Sequence, residues 1–183
     1  MSKKNLIESQ ASLIEGIPQV GKPVRIVGID PGGTTGFVLV EIDWEKEKLV
    51  VVESQQLGPH PHHDELYEVL TLANPEVIVC ESFEYRNVAR AGLVLDSVEY
   101  IGVTKLYEQV YSEGGVQLVF QTAALGKVQH GRGLVKPANI RNLGLWSVSS
   151  VHAIDALGHV LYYLITKYKS EPLVLQLLEK GWR

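Results

Sequence analysis

Apolar residues fall in short blocks separated by polar turns, and the period of the blocks changes along the chain. Val24 to Asp30 is a β-branched run closed by an acid and by PGGTTG, which predicts a strand and then a tight glycine-rich turn. Thr35 to Ile42 predicts a second strand, Trp44 to Lys48 a polar turn, and Leu49 to Ser54 a third strand. Connections this short predict an antiparallel meander. Asp64 to Leu72 has helical spacing, with Asp64 near its start. Glu76 to Glu81 predicts a short buried strand that again ends on an acid. Ala91 to Tyr111 predicts a helix, with Leu95, Val98, Ile101, Val103 and Leu106 as its apolar positions. Val116 to Gln121 predicts a fifth strand, and glycines and a proline divide Thr122 to Trp146 into short helices and a loop. Ser149 to Lys167 predicts a long helix capped by Ser149 or Ser150, and Pro172 opens a last helix, Leu173 to Lys180.

The order β-β-β-α-β-α-β-α predicts an α/β fold, a mixed five-stranded sheet with helices on its faces. Strands one to three are expected to be antiparallel, and four and five parallel to the first. Residues 1–22 form an N-terminal extension whose Leu6, Ile7, Leu13, Ile14 and Ile17 suit a short amphipathic helix. Residues 23–183 are one domain's worth of chain, enough to bury a core. The leader has no continuous apolar segment, and no stretch approaches the roughly 18 apolar residues of a membrane span. A soluble, cytoplasmic protein is expected, with no membrane partner. Cys80 stands alone inside an apolar run and reads as a small buried hydrophobe. His60, His62 and His63 in GPHPHHD resemble a metal motif, but the interleaved prolines argue against a fixed ligand geometry, so a solvated loop is expected.

Charge changes this picture in one place. The net charge of −4 argues weakly against a nucleic-acid partner, yet Gly114 to Ile154 contains no Asp or Glu. Lys127, Arg132, Lys136 and Arg141 all fall within it. One segment of an acidic chain is therefore suited to an anionic partner.

The candidate chemistry is acidic. Asp30 and Glu81 each close an apolar strand, so parallel neighbouring strands would bring both to one rim of the sheet, where open α/β sheets place their sites. His152 and Asp155 are three residues apart on one face of the long helix, and His159 lies four beyond Asp155. Leu157, Leu161 and Leu164 would anchor the opposite face on the sheet. Singly, each acid reads as a turn, cap or solvated residue; their conjunction beside a glycine-rich turn is the signal. Carboxylates are hard ligands suited to Mg²⁺ or Mn²⁺, and two such ions about 3.5–4 Å apart serve phosphodiester hydrolysis. Asp30 is placed to bridge them.

These motifs resemble those of the RuvC-type Holliday-junction resolvases of the ribonuclease-H-like superfamily. VGIDPGGTTG is similar to the family's first-strand motif, VIVCESF to its second acidic motif, and SVHAIDALGHVL to its third. Order and spacing agree from about Val24 to Lys167. The resemblance implies a ribonuclease-H-like fold and metal ligation by Asp30, Glu81, His152 and Asp155. His152 stands where many relatives carry Asp, and a nitrogen ligand there would favour Mn²⁺. It implies a transition-state contact from Lys127, and DNA-backbone contacts from Arg132, Lys136 and Arg141. Phe83 and Tyr85 flank the offset at which relatives carry a base-stacking aromatic, while Glu84 occupies it. The implied activity is a structure-selective endonuclease that resolves four-way DNA junctions in recombination and repair. A homodimer makes the paired cuts, with Leu95, Val98 and Val103 as its candidate interface. The style of the sequence suggests a phage-infected or bacterial cell.

Two rival readings remain open. A related nuclease could act on flaps, forks or other branched DNA with the same metal chemistry. The loop DPGGTTG also resembles the phosphate loop of actin-like and sugar-kinase ATPases, but those use two such domains, so no nucleotide cofactor is expected.

Overall fold

The computed structural model describes residues 22–83, 95–122, 140, 142–145 and 150–181. Five strands form one sheet: β1 (Val24–Asp30), β2 (Thr35–Asp43), β3 (Lys48–Leu57), β4 (Val77–Ser82) and β5 (Gln117–Thr122). Their order is β3-β2-β1-β4-β5. β1, β2 and β3 pair antiparallel, β4 runs parallel to β1, and β5 parallel to β4. The helices are α1 (His63–Ala73), α2 (Asp96–Tyr111), α3 (Val151–Lys167) and α4 (Pro172–Gly181). The α/β sheet expected from the sequence is thus present, with strand ends displaced by no more than three residues. The N-terminal extension and the start of the helix expected from Ala91 lie outside the described residues, as does most of Thr122 to Trp146.

Alternation along the strands divides the core in two. Ile26, Val38, Val40 and Val79 point to one face and pack with Ala156, Leu157, Val160 and Leu164 of α3. Val27, Ile29, Phe37, Leu39 and Cys80 point to the other and meet Leu66 and Leu70 of α1 and Tyr100 and Tyr107 of α2. Burial pushes the Cys80 thiol up, which makes it an inert packing group, as its apolar setting suggests. Among the described residues no helix is long and apolar enough to cross a membrane.

The helix ends follow local chemistry. Ser150 caps α3, its hydroxyl accepting from the Ala153 N–H at 3.1 Å. Asn74 ends α1 in the left-handed region at φ 43°, its N–H donating to the Leu70 carbonyl at 3.0 Å.

Along α2, Ile101 is buried, Leu95 and Val103 are half-buried, and Val98 and Leu106 are exposed. Tyr100, Thr104 and Tyr107 fill most of the contact with the sheet. A count of aliphatic spacing misses them because tyrosine buries its ring while its hydroxyl finds a partner, here the His62 N–H at 3.1 Å. The histidine loop is exposed from Gly58 to Pro61, and His62 departs from the solvated loop expected there. His62 is buried, its Nε2 2.8 Å from Thr35 Oγ1 and its ring stacked on Tyr100 at 3.9 Å. The prolines do not keep the histidines apart, because the loop backbone is tied down at His60, whose N–H donates to the Gly33 carbonyl at 2.9 Å.

α3 lies unusually close to the sheet because two glycines on its face carry no side chain. A Cβ on Gly36 would sit 2.0 Å from the His152 carbonyl oxygen, and one on Gly28 2.4 Å from that of Ala156. Both obstacles are helix backbone, which cannot turn aside. Gly36→Ala is therefore expected to cost about 3 kcal/mol, the upper part of the range for overpacking. Denaturant unfolding of the variant would measure it, and an unchanged midpoint would show that the helix does not rest there.

Candidate metal and nucleic-acid site

Strand parity delivers the rim residues. Asp30 follows Ile26 and Gly28 on the α3 face of β1, Glu81 follows Val77 and Val79 on that face of β4, and Gln121 follows Val119 on β5. In the parallel register Ile29 lies beside Cys80, so the next residues, Asp30 and Glu81, leave the sheet side by side. The first turns of α3 cross above them. His152 and Asp155 are on that crossing because the glycine contact holds the His152 backbone against β2.

The side chains meet in two pairs. His152 Nδ1 lies 3.1 Å from Asp30 Oδ2. His159 Nε2 lies 2.9 Å from Glu81 Oε2. His159 is fully buried, and its Nδ1 is 2.9 Å from Gln121 Oε1, while Gln121 Nε2 donates to the His159 carbonyl at 3.2 Å. The hydrogen bond between His159 Nε2 and Glu81 Oε2 fixes the direction in which that carboxylate points. Asp155 is half-buried, with Oδ1 shielded from solvent.

Electrostatics show that the three carboxylates share one space. The Asp30 carboxyl is pushed up to about 6 from its ordinary 3.8, first by burial and then by the like charges of Glu81 and Asp155; the hydrogen bond from His152 works the other way. Among the described residues, the group of three metal-type ligands with donor atoms within 4.8 Å of one another lies elsewhere, at His60, His63 and Glu99.

Other candidates are placed less fully. Phe83 follows β4, half-buried on the α1–α2 side of the sheet, and lines a groove of about 430 Å³ with Val98, Ile101, Lys105 and Phe120. Tyr85, Lys127, Arg132, Lys136 and Arg141 lie outside the described residues. Gln121 was not anticipated from sequence. Its signal was available, since it sits at the end of an apolar strand on the parity of Val119. His159 was visible as the third member of the 152, 155, 159 face, although its tie to Glu81 was not.

The sequence matches no family model and no curated protein. The fold does have solved likenesses. One is Thermus thermophilus RuvC in complex with a Holliday-junction substrate, 19% identical, covering 81% of this chain and 98% of that one, with a TM-score of 0.61. The same bacterium's RuvC in a separate structure gives a TM-score of 0.60 at 19% identity, with the same coverage of both chains. The fowlpox virus Holliday-junction resolvase gives a TM-score of 0.54 at 12% identity, covering 79% of this chain and 99% of that one. The chain has the ribonuclease-H-like fold of the RuvC-type resolvases.

Proposed function

We propose that this chain is a metal-dependent endonuclease that cuts four-way DNA junctions. The observation that carries the reading is the delivery of Asp30 and Glu81, from neighbouring parallel strands, to one rim beneath the helix turns bearing His152 and Asp155. The fold likeness supports it, because the solved structures with this architecture include a RuvC bound to a Holliday junction. The acid-free segment with Lys127, Arg132, Lys136 and Arg141 supplies the positive charge that a phosphate backbone would meet. Phe83 and Tyr85 follow the second rim acid in the sequence and would be the aromatics to meet bases. Two copies acting together would make paired cuts, and the exposed Val98, Leu106 and Val110 of α2 offer an apolar face for that pairing.

The donor set fits divalent cations. A carboxylate driven up by burial and by two like charges is one whose anionic form a dication would restore. Asp30, Glu81, Asp155 and His152 would hold two ions, Mg²⁺ or Mn²⁺, and the His152 nitrogen tilts the choice toward Mn²⁺. Bound there, such ions supply an activated water and neutralise the charge that builds on a phosphodiester. The chain's own residues do the rest. His152 orients Asp30, and His159 orients Glu81, itself held by Gln121.

Asp30→Asn tests the reading directly. Cleavage of a synthetic four-way junction should fall at least about 100-fold, while junction affinity in a gel-shift assay stays within about threefold, since transition-state stabilisation and not binding is removed. Cutting at the parental rate would overturn the assignment. Flap, fork, duplex and RNA–DNA hybrid substrates run beside the junction with Mg²⁺ and with Mn²⁺ would show the preferred substrate, and faster cutting of flaps would move the chain to a different nuclease activity.

The same substitution has an expected effect on stability. Below about pH 3.8 the carboxyl is protonated in folded and unfolded chains alike. As pH rises from there to about 6, the unfolded chain gives up the proton while the folded chain keeps it, so stability falls, and above 6 the loss is complete. The full loss is about 3 kcal/mol, at ~1.4 kcal/mol per pH unit. In chelator at pH 7.5, Asp30→Asn should therefore be more stable than the parent by part of that amount, less what the His152 hydrogen bond contributes. The advantage should shrink steadily from pH 6 to pH 4.5 in denaturant titrations, and a pH-independent difference would contradict the buried charge.

Gln121→Leu removes the group that fixes the His159 ring without touching the rim. Activity and metal affinity should drop about 10-fold, the low end for an outer-shell partner of a ligand, with the excess recovered at raised metal concentration. A drop that added metal does not repair would assign Gln121 to packing alone.

A further inference from the structure

A second group of metal-type ligands lies on the loop that ends at His62 and on the helix starts beside it, away from the rim acids. His60, His63 and Glu99 each present a donor atom, all within 4.8 Å of one another. Glu99 Oε2 is 2.8 Å from His63 Nε2, and Asp96 Oδ1 is 3.8 Å from His60 Nδ1. The support beneath is firm. The His60 N–H donates to the Gly33 carbonyl, the Tyr100 hydroxyl is 2.8 Å from His60 Nδ1 and accepts from the His62 N–H, and the buried His62 ring stacks on Tyr100. The donors themselves reach solvent, with 35% of the His60 side chain, 37% of His63 and 49% of Glu99 exposed.

We propose that His60, His63 and Glu99 bind one divalent transition-metal ion of the zinc class, with water completing its shell. Two imidazoles and a carboxylate are a zinc donor set, whereas the rim, with three carboxylates and one imidazole, suits a harder ion. Ligand atoms of a tetrahedral zinc lie roughly 3.4 Å apart, so the group must contract by about 1.4 Å at most. Half-exposed side chains on a fixed backbone make that adjustment by small rotations. A surface ion pair between His63 and Glu99 would contribute little, and it gives no reason for His60 to be brought to the same point. The ion would tie the histidine loop and the start of α1 to the start of α2. Ser97 of α2 donates to the Pro31 carbonyl at 2.8 Å, so the clamp also braces the turn that follows Asp30.

Zinc binding to the chelator-treated full chain, followed by calorimetry, tests this without reading nuclease activity, so it stands or falls apart from the proposed function. One Zn²⁺ per chain is expected, retained in the double variant Asp30→Asn/Glu81→Gln. Affinity should fall at least about 30-fold in His60→Ala/His63→Ala and about 10-fold in Glu99→Gln, because ligands and not neighbours are lost. Zinc should raise the melting temperature of the parent and not that of the double-histidine variant. Co²⁺ should give the intense visible bands of a four-coordinate site in the parent alone. Unchanged zinc affinity in His60→Ala/His63→Ala would overturn the proposal, as would no zinc binding by the parent at micromolar concentrations. Loss of the ion in Asp30→Asn/Glu81→Gln with retention in the histidine variant would overturn it by placing the zinc at the rim. If circular dichroism shows the double-histidine variant unfolded, Glu99→Gln alone decides, since Glu99 lies on an exposed face and its amide keeps the shape.

Discussion

The backbone of α3 approaches β1 and β2 more closely than any side chain would permit, and the rim is built on that approach. Gly28 and Gly36 leave room for the carbonyls of Ala156 and His152, so the helix start is seated by contact of main chain with main chain. Such contacts are stiff, because no rotamer can relieve them. His152 and Asp155 therefore meet the strand ends at a fixed height. Leu157, Val160 and Leu164, farther along α3, keep the rest of the helix on the sheet through ordinary apolar burial.

That rigidity has an electrostatic consequence. Asp30 is held buried where the charges of Glu81 and Asp155 also repel it, and burial first, then repulsion, raise its carboxyl. The fold does not relieve this by letting the acids swing out to water. It assigns each strand-end acid an imidazole, His152 for Asp30 and His159 for Glu81. A site with excess negative charge and fixed oxygen donors is set up to gain from a dication, which is the physical content of the nuclease reading. Stability given up at the rim is compensated by the two cores on either side of the sheet.

Much of this was legible in the sequence, and what was not has definable causes. β1 was expected at Val24 to Asp30 and occurs there, because a β-branched run between Pro23 and a glycine-rich turn leaves little freedom at either end. The parallel placement of β4, and with it the pairing of Asp30 with Glu81, followed from element order. The buried face of α2 is less legible, because apolar periodicity passes over Tyr100 and Tyr107, whose hydroxyls make them look like surface residues. The burial of His62 within an otherwise exposed loop has a related cause. It depends on Thr35 and Tyr100, 27 and 38 residues from His62 along the chain, and no local pattern carries that information.

The same long-range contacts give the histidines different fates. His62 turns inward and becomes the support, while His60 and His63 turn outward beside Glu99. His62 caps α1 at φ −139° and ψ 35° and His63 opens the helix, so the chain turns between them and presents one imidazole to the core and the next toward solvent. His60, two positions before His62, would share its side in a regular strand. It does not, because its backbone is held by the Gly33 carbonyl and its ring by the Tyr100 hydroxyl. The irregularity of this loop is what brings a third donor to His63 and Glu99, and a regular strand here would leave only the pair.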